Sequence, residues 1–484
     1  MEIKLNLSAG DSRHRSRDVS YQQRINWFPE RQNYEGATEE WSLVQIEGSA
    51  EWLDVGGASR CRGLKKAGNG SLYGVWGANV YEVKDYLGTP TAYLRGTVAS
   101  ANSPVWMVDN GVHMVITDGN QMYLHELGSS NGITSPSYPF TAPSHVDYIG
   151  GYVVCIRNSG SLLERGRFYY SDLLDATSWP ALNYFTAEDF SDPLVSLVVR
   201  DGEIWLFGSS TYEVWGLTGD ANRPFTRIGG SARKIGISGR YSAAVIGGSI
   251  LWVGSSKAGA DGVYMANGYE AQQISDVTIS QFLSGAAVAD VIAWTYQGNG
   301  HTFYVLQFTT EDTTLVYDLT TGKWHRRESQ KQDNTFGRWN HCYAEYAFGK
   351  TLVGFGTAGV IAYLDADEFT EADDSPIVRT FVSNGTIANG HPIMCRELVA
   401  YFDAGQITDP STTPYAMLRV SRDGGYTWSS SRWRDFGGTG QYGRSCKWTQ
   451  LGIAREFTFE IVVSANCRST LVGAYADFER GVGR

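Results

Sequence analysis

Ser421, Asp423, Gly425, Thr427 and Trp428 stand in the order S-x-D-x-G-x-T-W within the string SRDGGYTW, the Asp-box pattern. A carboxylate set between two hydroxyl groups is a combination that acid–base or ligand-binding chemistry can use. The same atoms can instead build a turn. The Asp423 carboxylate can accept hydrogen bonds from backbone N–H groups inside the loop. Gly424 and Gly425 supply positive φ at little cost, and Trp428 is placed to pack beneath the hairpin. Turn chemistry uses every one of these residues, and it predicts no contact with a substrate.

Glycan hydrolysis asks for more than one turn. Glycosidases generally need two carboxylates at a defined separation. A sialidase needs converging arginines, a tyrosine nucleophile with a glutamate partner and an acid, and it carries the box in several repeats. Here the box occurs once, outside the repeats described below, and no arginine recurs at equivalent repeat positions. A carbohydrate-binding or glycan-degrading, sialidase-like propeller is therefore the alternative reading and not the leading one.

Other chemistry is equally thin. No H-E-x-x-H or phosphate-loop motif occurs. The eight histidines are scattered, and the adjacent His341 and Cys342 would face opposite sides of a strand. The six cysteines contain no C-x-x-C and read as buried free thiols. TDGNQ and SRDGG resemble pieces of calcium loops but lack the 12-residue pattern that ends in glutamate. The expectation is no enzyme, no catalytic residue, no cofactor and no metal. The densest basic run, KWHRRESQK, makes Lys323, Arg326 and Arg327 candidates for an interface or a DNA-facing surface, with a solvated hairpin end as the bland alternative.

The elements that position these residues are strands. The chain has 484 residues, 56 glycines, 15 tryptophans and 28 tyrosines, which suits many short strands joined by tight turns. Short apolar runs separated by Gly-rich turns begin near 71, 111, 151, 203, 249, 301 and 350. That spacing matches a four-stranded propeller blade plus its loops. The fold class is all-β: a propeller of six or seven blades with a C-terminal β-sandwich-like domain. The boundaries are 1–50 for an N-terminal arm and ring-closing segment, 51–370 for the propeller and 371–484 for the sandwich. The acidic run Asp365–Pro376 reads as a linker or exit loop, and Ser275–Trp294 is the best helix candidate. A net charge of −11 disfavours strong attraction to a phosphate backbone. The N-terminus reads as neither a signal peptide nor a membrane span, so the expected product is made in a cytoplasm.

Several stretches together carry a resemblance. INWFPE at 25–30, YYSDLLDATSWPALNYFTAED at 169–189 and VYDLTTGKWHRR at 316–327, followed by the Asp-box hairpin, make the chain similar to the packaged-DNA stabilisation (tail hub or nozzle) family of short-tailed, P22-like bacteriophages. The likeness covers roughly 20–370. It assigns Trp27, Pro29, Trp179 and Trp324 to family-like structural positions. It implies a virion tail component assembled in the host bacterial cytoplasm, without enzymatic activity. The expected form is a homo-hexameric ring. Its expected partners are a portal-adaptor protein, a tail needle or plug, a tailspike or tail fibre, and double-stranded DNA that passes without sequence recognition.

Overall fold

The computed structural model describes residues 1–14, 17, 20–32, 39–57, 59–187, 192–256, 259, 261–387, 391–405 and 413–480. Glu188 and Asp189, the end of the mid-chain stretch quoted above, lie outside the described residues.

Seven antiparallel sheets follow one another and form seven blades of a β-propeller. Blade 1 runs from Cys61–Lys66 to Thr89–Thr97. Blade 2 has three strands, Trp106–Asp109, His113–Thr117 and Met122–Glu126, extended by a bridge between Leu124 and Thr134. Blades 3, 4 and 5 begin at Pro143, Leu194 and Ala244, and blade 6 runs from Ile292–Gly298 to Lys323–Gln330. Blade 7 joins His341–Ala347, Lys350–Phe355 and Val360–Asp365 to a strand from far upstream, Gly48–Asp54. The first and last parts of the ring are thereby hydrogen-bonded into one sheet.

The seven repeat starts read from the sequence mark the second strand of each blade. These strands are largely apolar because each blade is covered on both faces by its neighbours. Leu72–Trp76 and Tyr152–Arg157 are buried at every position. The turns that feed them include Gly150 and Gly151, both at positive φ (55° and 96°).

The remaining strands form a two-sheet sandwich. One sheet orders Ser445–Ala454, Ile393–Phe402, Leu471–Arg480, Trp41–Gln45 and Trp27–Arg31, with Glu2–Lys4 also paired to Leu471–Arg480. The other orders Tyr21–Ile25, Arg379–Val382, Glu456–Val463, Tyr415–Ser421 and Arg432–Asp435. Leu5, Leu7, Trp27 and Leu43 share its core with Phe381, Trp448 and Phe459. The strands up to Gln45 thus pair into the sandwich, and Gly48–Asp54 pairs into the propeller. The second sheet is continuous with blade 6, through a parallel pairing of Ile25 with Arg326.

One expectation changes and another sharpens. The helix covers only Val277–Leu283, capped by the Asp276 side chain, which accepts from the Ile279 N–H at 2.8 Å. It stops before Gly285, a single turn follows at Val288–Asp290, and Trp294 belongs to a strand of blade 6. The acidic run is the exit loop between blade 7 and the sandwich, and it is anchored. Gly48 and Ser49 donate to the Glu368 and Thr370 carbonyls at 3.2 and 2.9 Å, and Glu371 is buried.

Candidate functional site

The stretch INWFPE is the hinge of the molecule. Successive strand residues point to opposite faces, so Trp27 enters the sandwich core while Phe28 packs in the propeller against His301 (4.8 Å) and Phe303 (5.4 Å). The Trp27 indole N–H donates to the Ser469 carbonyl at 3.2 Å. Pro29 removes one strand N–H, which is tolerated because Trp27–Arg31 is the edge strand of its sheet. Between the two strands sits Asn26, fully buried and left-handed at φ 56°. Its side-chain amide donates to the carbonyls of Glu328 (2.9 Å) and Val378 (2.8 Å), and its side-chain oxygen accepts from the Glu328 N–H at 3.0 Å. One asparagine therefore ties the N-terminal segment to the last strand of blade 6 and to the start of the sandwich.

The basic run lies opposite this hinge, and burial corrects its assignment. Arg327 is fully buried. Its guanidinium sits 4.6–5.2 Å from the ring centres of Trp339, Tyr296 and Phe303 and 3.4 Å from the Glu47 carboxylate. It faces neither DNA nor solvent. Arg326 points to the other side of the same strand and meets the buried Asp11 carboxylate at 2.7 Å. Lys323 alone is half-exposed, 6.0 Å from the Trp41 ring. Lys323–Gln330 is consequently a strand between two domains: the interface or DNA-facing reading fails for the buried Arg327, Arg326 is engaged by Asp11, and Lys323 keeps a half-exposed side chain.

Acidic groups complete this junction. His301 is 2.8 Å from Asp318 and 3.6 Å from Glu30. Burial would lower its pKa, but the two carboxylates outweigh burial and hold it at about 9. Glu371 accepts from the Ser329 hydroxyl, and burial pushes its carboxyl up to about 8. Asn26, Glu47, Asp11 and Glu371 escaped the sequence reading. Asn26, Glu47 and Asp11 meet partners 302, 280 and 315 residues away, and Glu371 meets Ser329 at 42, so no local spacing signals their burial.

The Asp box is a closed local circuit. Asp423 accepts from the Thr427 N–H (2.8 Å), the Thr427 hydroxyl (2.5 Å) and the Ser421 hydroxyl (2.7 Å), while the Gly425 N–H donates to Ser421 Oγ at 2.8 Å. These bonds, led by those from Thr427, hold the Asp423 carboxyl at about 2. Trp428 is half-buried with Arg419 over its ring at 5.7 Å. Trp179 and Trp324 are buried, and their indoles donate to the carbonyls of Ala176 (2.9 Å) and Ile274 (3.1 Å).

The propeller axis is where a catalytic propeller would hold its substrate. A cavity of about 290 Å³ lies there, lined among others by Lys65, Trp106, Asp147, Tyr343 and Glu345. Its two carboxylates are already engaged. Asp147 of blade 3 accepts from the Val199 N–H of blade 4 at 2.7 Å and from its neighbour Tyr148 at 2.8 Å. Burial still pushes its pKa up to about 6. Burial raises the pKa of Glu345 of blade 7, opposed by Lys65 and Lys66 of blade 1 beside it. Each carboxylate clasps the next blade. Among the described residues no group of three or more His, Cys, Asp or Glu side chains is placed to hold a metal. No helix there is long and apolar enough to cross a membrane.

The family model described as bacteriophage P22 Gp10, beta-propeller, of the phage-stabilisation family, matches residues 3–368. The chain belongs to this family. The P22 Gp10 family is one of phage DNA-stabilisation tail proteins, so the chain is a structural component of the virion tail type. The match ends three residues after the last strand of blade 7, and it includes the N-terminal strands that the sandwich borrows. Among solved structures the chain is similar to streptogramin B lyase at 10% identity, covering 66% of this chain and 98% of that one, with a TM-score of 0.41. It is also similar to YCF48 from Cyanidioschyzon merolae at 14% identity, covering 66% and 98%, with a TM-score of 0.41. No curated protein matches the chain.

Proposed function

We propose that this member of the P22 Gp10 family forms a homo-hexameric hub or nozzle ring below the portal-adaptor, retains packaged DNA and conducts it during ejection. The family match across the whole propeller carries this reading. The neighbours in the tail would be the adaptor above, a needle or plug sealing the channel, and tailspikes or fibres outside. DNA would pass between subunits and not along the propeller axis. A cavity of about 290 Å³ is too small for a duplex, whose major groove alone is about 12 Å wide. A net charge of −11 suits a conduit wall that does not grip phosphate. A closed ring would use heterologous contacts, each subunit presenting two different faces.

The engaged state of Asp147 and Glu345 supports a structural rather than a hydrolytic role for the propeller axis. Native mass spectrometry tests the proposal, on the full chain alone and mixed with its adaptor protein. A ring of about six copies on the adaptor is expected. A persistent monomer under every condition, or hydrolysis of bacterial surface glycans by the purified chain, would overturn it.

A further inference from the structure

The propeller ring closes at the seam between blade 7 and blade 1, and it closes there in two ways. On the outside, Gly48–Asp54 pairs with Val360–Asp365. On the inside, the first strands of the two blades meet, and each brings a cysteine to the contact. Cys342 donates its thiol to the Cys61 carbonyl at 3.4 Å. Cys61 donates to the Gly63 carbonyl at 3.6 Å. The two thiols lie close enough to interact, and both are fully buried. Gly354 makes room for them: a Cβ there would lie 2.4 Å from Cys61 Sγ and 3.1 Å from the Cys342 carbonyl oxygen. Cys155, Cys395 and Cys446, by contrast, donate to backbone carbonyls within or beside their own strands.

The surroundings of the pair are those of a reactive thiol more than an inert one. Interaction with Cys61 and the nearby guanidinium groups of Arg60 and Arg338 outweigh burial and lower the pKa of the Cys342 thiol, while burial raises that of Cys61. An electropositive setting favours the thiolate, which is the nucleophile in thiol oxidation. Both arginines are partly exposed, so the pair lies one layer below solvent.

We infer that Cys61 and Cys342 form a redox pair that oxidises to a disulfide and closes the propeller covalently at its seam. Hydrogen peroxide is an oxidant small enough for the site. The Cys342 thiolate attacks one peroxide oxygen, giving a sulfenic acid and hydroxide. The Cys61 sulfur then attacks the sulfenic sulfur, forming the S–S bond and expelling the oxygen as water. Overall, two thiols and one peroxide give one disulfide and two waters. The two cysteines are 281 residues apart, so the bond would restrict an unfolded chain strongly. The chemistry stands without the tail reading. Its use, to lock a particle that has left a reducing cytoplasm for an oxidising medium, rests on that reading.

The test uses the folded full-length chain, freed of reductant, treated with hydrogen peroxide, then denatured, alkylated and digested. The expected result is a peptide cross-link between Cys61 and Cys342 that dithiothreitol reverses, with Cys155, Cys395, Cys446 and Cys467 recovered as alkylated thiols. The oxidised chain should unfold at a higher guanidinium concentration than the reduced one. Cys61→Ser and, independently, Cys342→Ser should abolish both the cross-link and this shift. Methionine oxidation in the same sample shows that peroxide has acted. Recovery of Cys61 and Cys342 as separate alkylated thiols or separate sulfinic acids in that sample would overturn the inference. A cross-link in a chain that stays monomeric in native mass spectrometry would keep this inference and remove the tail reading.

Discussion

The Asp-box hairpin and the strand Lys323–Gln330 are both rich in polar and charged residues, and they are held in opposite ways. In the hairpin, every bond to Asp423 comes from within four residues, and the carboxylate remains exposed. In the strand, Arg327 is buried against Glu47 and three aromatic rings, and Arg326 against Asp11. The first is a turn whose carboxylate is bonded only from within, although Arg17 also donates to the Gly425 carbonyl. The second exists only when the propeller and the sandwich are assembled around it. The difference teaches that a charge run need not be a surface. In a strand with alternating faces, two arginines one residue apart serve two different domains.

The largest effect that would sharpen this comparison is at Arg327. Arg327→Ala should destabilise the chain by about 3–5 kcal/mol, because the buried Glu47 is left unpaired. The double change Arg327→Met with Glu47→Leu should recover most of that loss, as read by guanidinium denaturation. A loss within about 0.5 kcal/mol, the size of an ordinary surface substitution, would mean that the strand behaves like the hairpin after all.

Asn26 comes next. Asn26→Gly keeps the left-handed backbone and loses the side-chain bonds, so a loss of about 1–3 kcal/mol is expected. Asn26→Ala should cost about 1 kcal/mol more, since alanine also resists positive φ. Equal losses in the two variants would show that backbone strain plays no part at the hinge.

The two regions should also respond to pH with opposite signs. Glu371 has its folded pKa raised to about 8. The folded state binds that proton more tightly, so the contribution is complete below about pH 4 and declines as pH rises to 8. Asp423 has its folded pKa depressed to about 2. Its contribution is present above about pH 4 and disappears as pH falls toward 2. Hydrogen exchange followed by mass spectrometry reads both segments in one sample. Segment 368–376 should open with rising pH and segment 421–428 with falling pH, and Glu371→Gln should flatten the first response.

The smallest effect is expected for Asp423→Ala. Losing exposed turn bonds should cost about 0.5–1.5 kcal/mol, confined to faster exchange at 421–428. Global unfolding in that variant would show that the hairpin supports the sandwich as well as itself.

Much of the architecture was legible from residues alone. Short apolar runs, largely buried between blades, recur at blade spacing, so their repetition could be counted without knowing any contact. The Asp-box turn was legible for the same reason, since donor, acceptor and glycine lie within one short string. The last blade was harder to see, because its fourth strand, Gly48–Asp54, lies some 300 residues before its partner Val360–Asp365. The helix was overread for a different reason. Val288 and Val291 continue a helical spacing, but they belong to the turn and the strand entry that follow Gly285.

Sequence by itself determined the all-β class, the blade spacing, the Asp-box turn and the likeness carried by INWFPE and its companion stretches. These depend on local periodicity and on backbone preferences that few neighbours can override. Tertiary structure decided which charges are buried, how the N-terminal strands divide between two domains, and which two of six thiols meet at the seam. Those outcomes depend on surfaces brought together from distant parts of the chain. The free energy of a charge or a thiol is set by what surrounds it in space, and its place in the sequence does not record that.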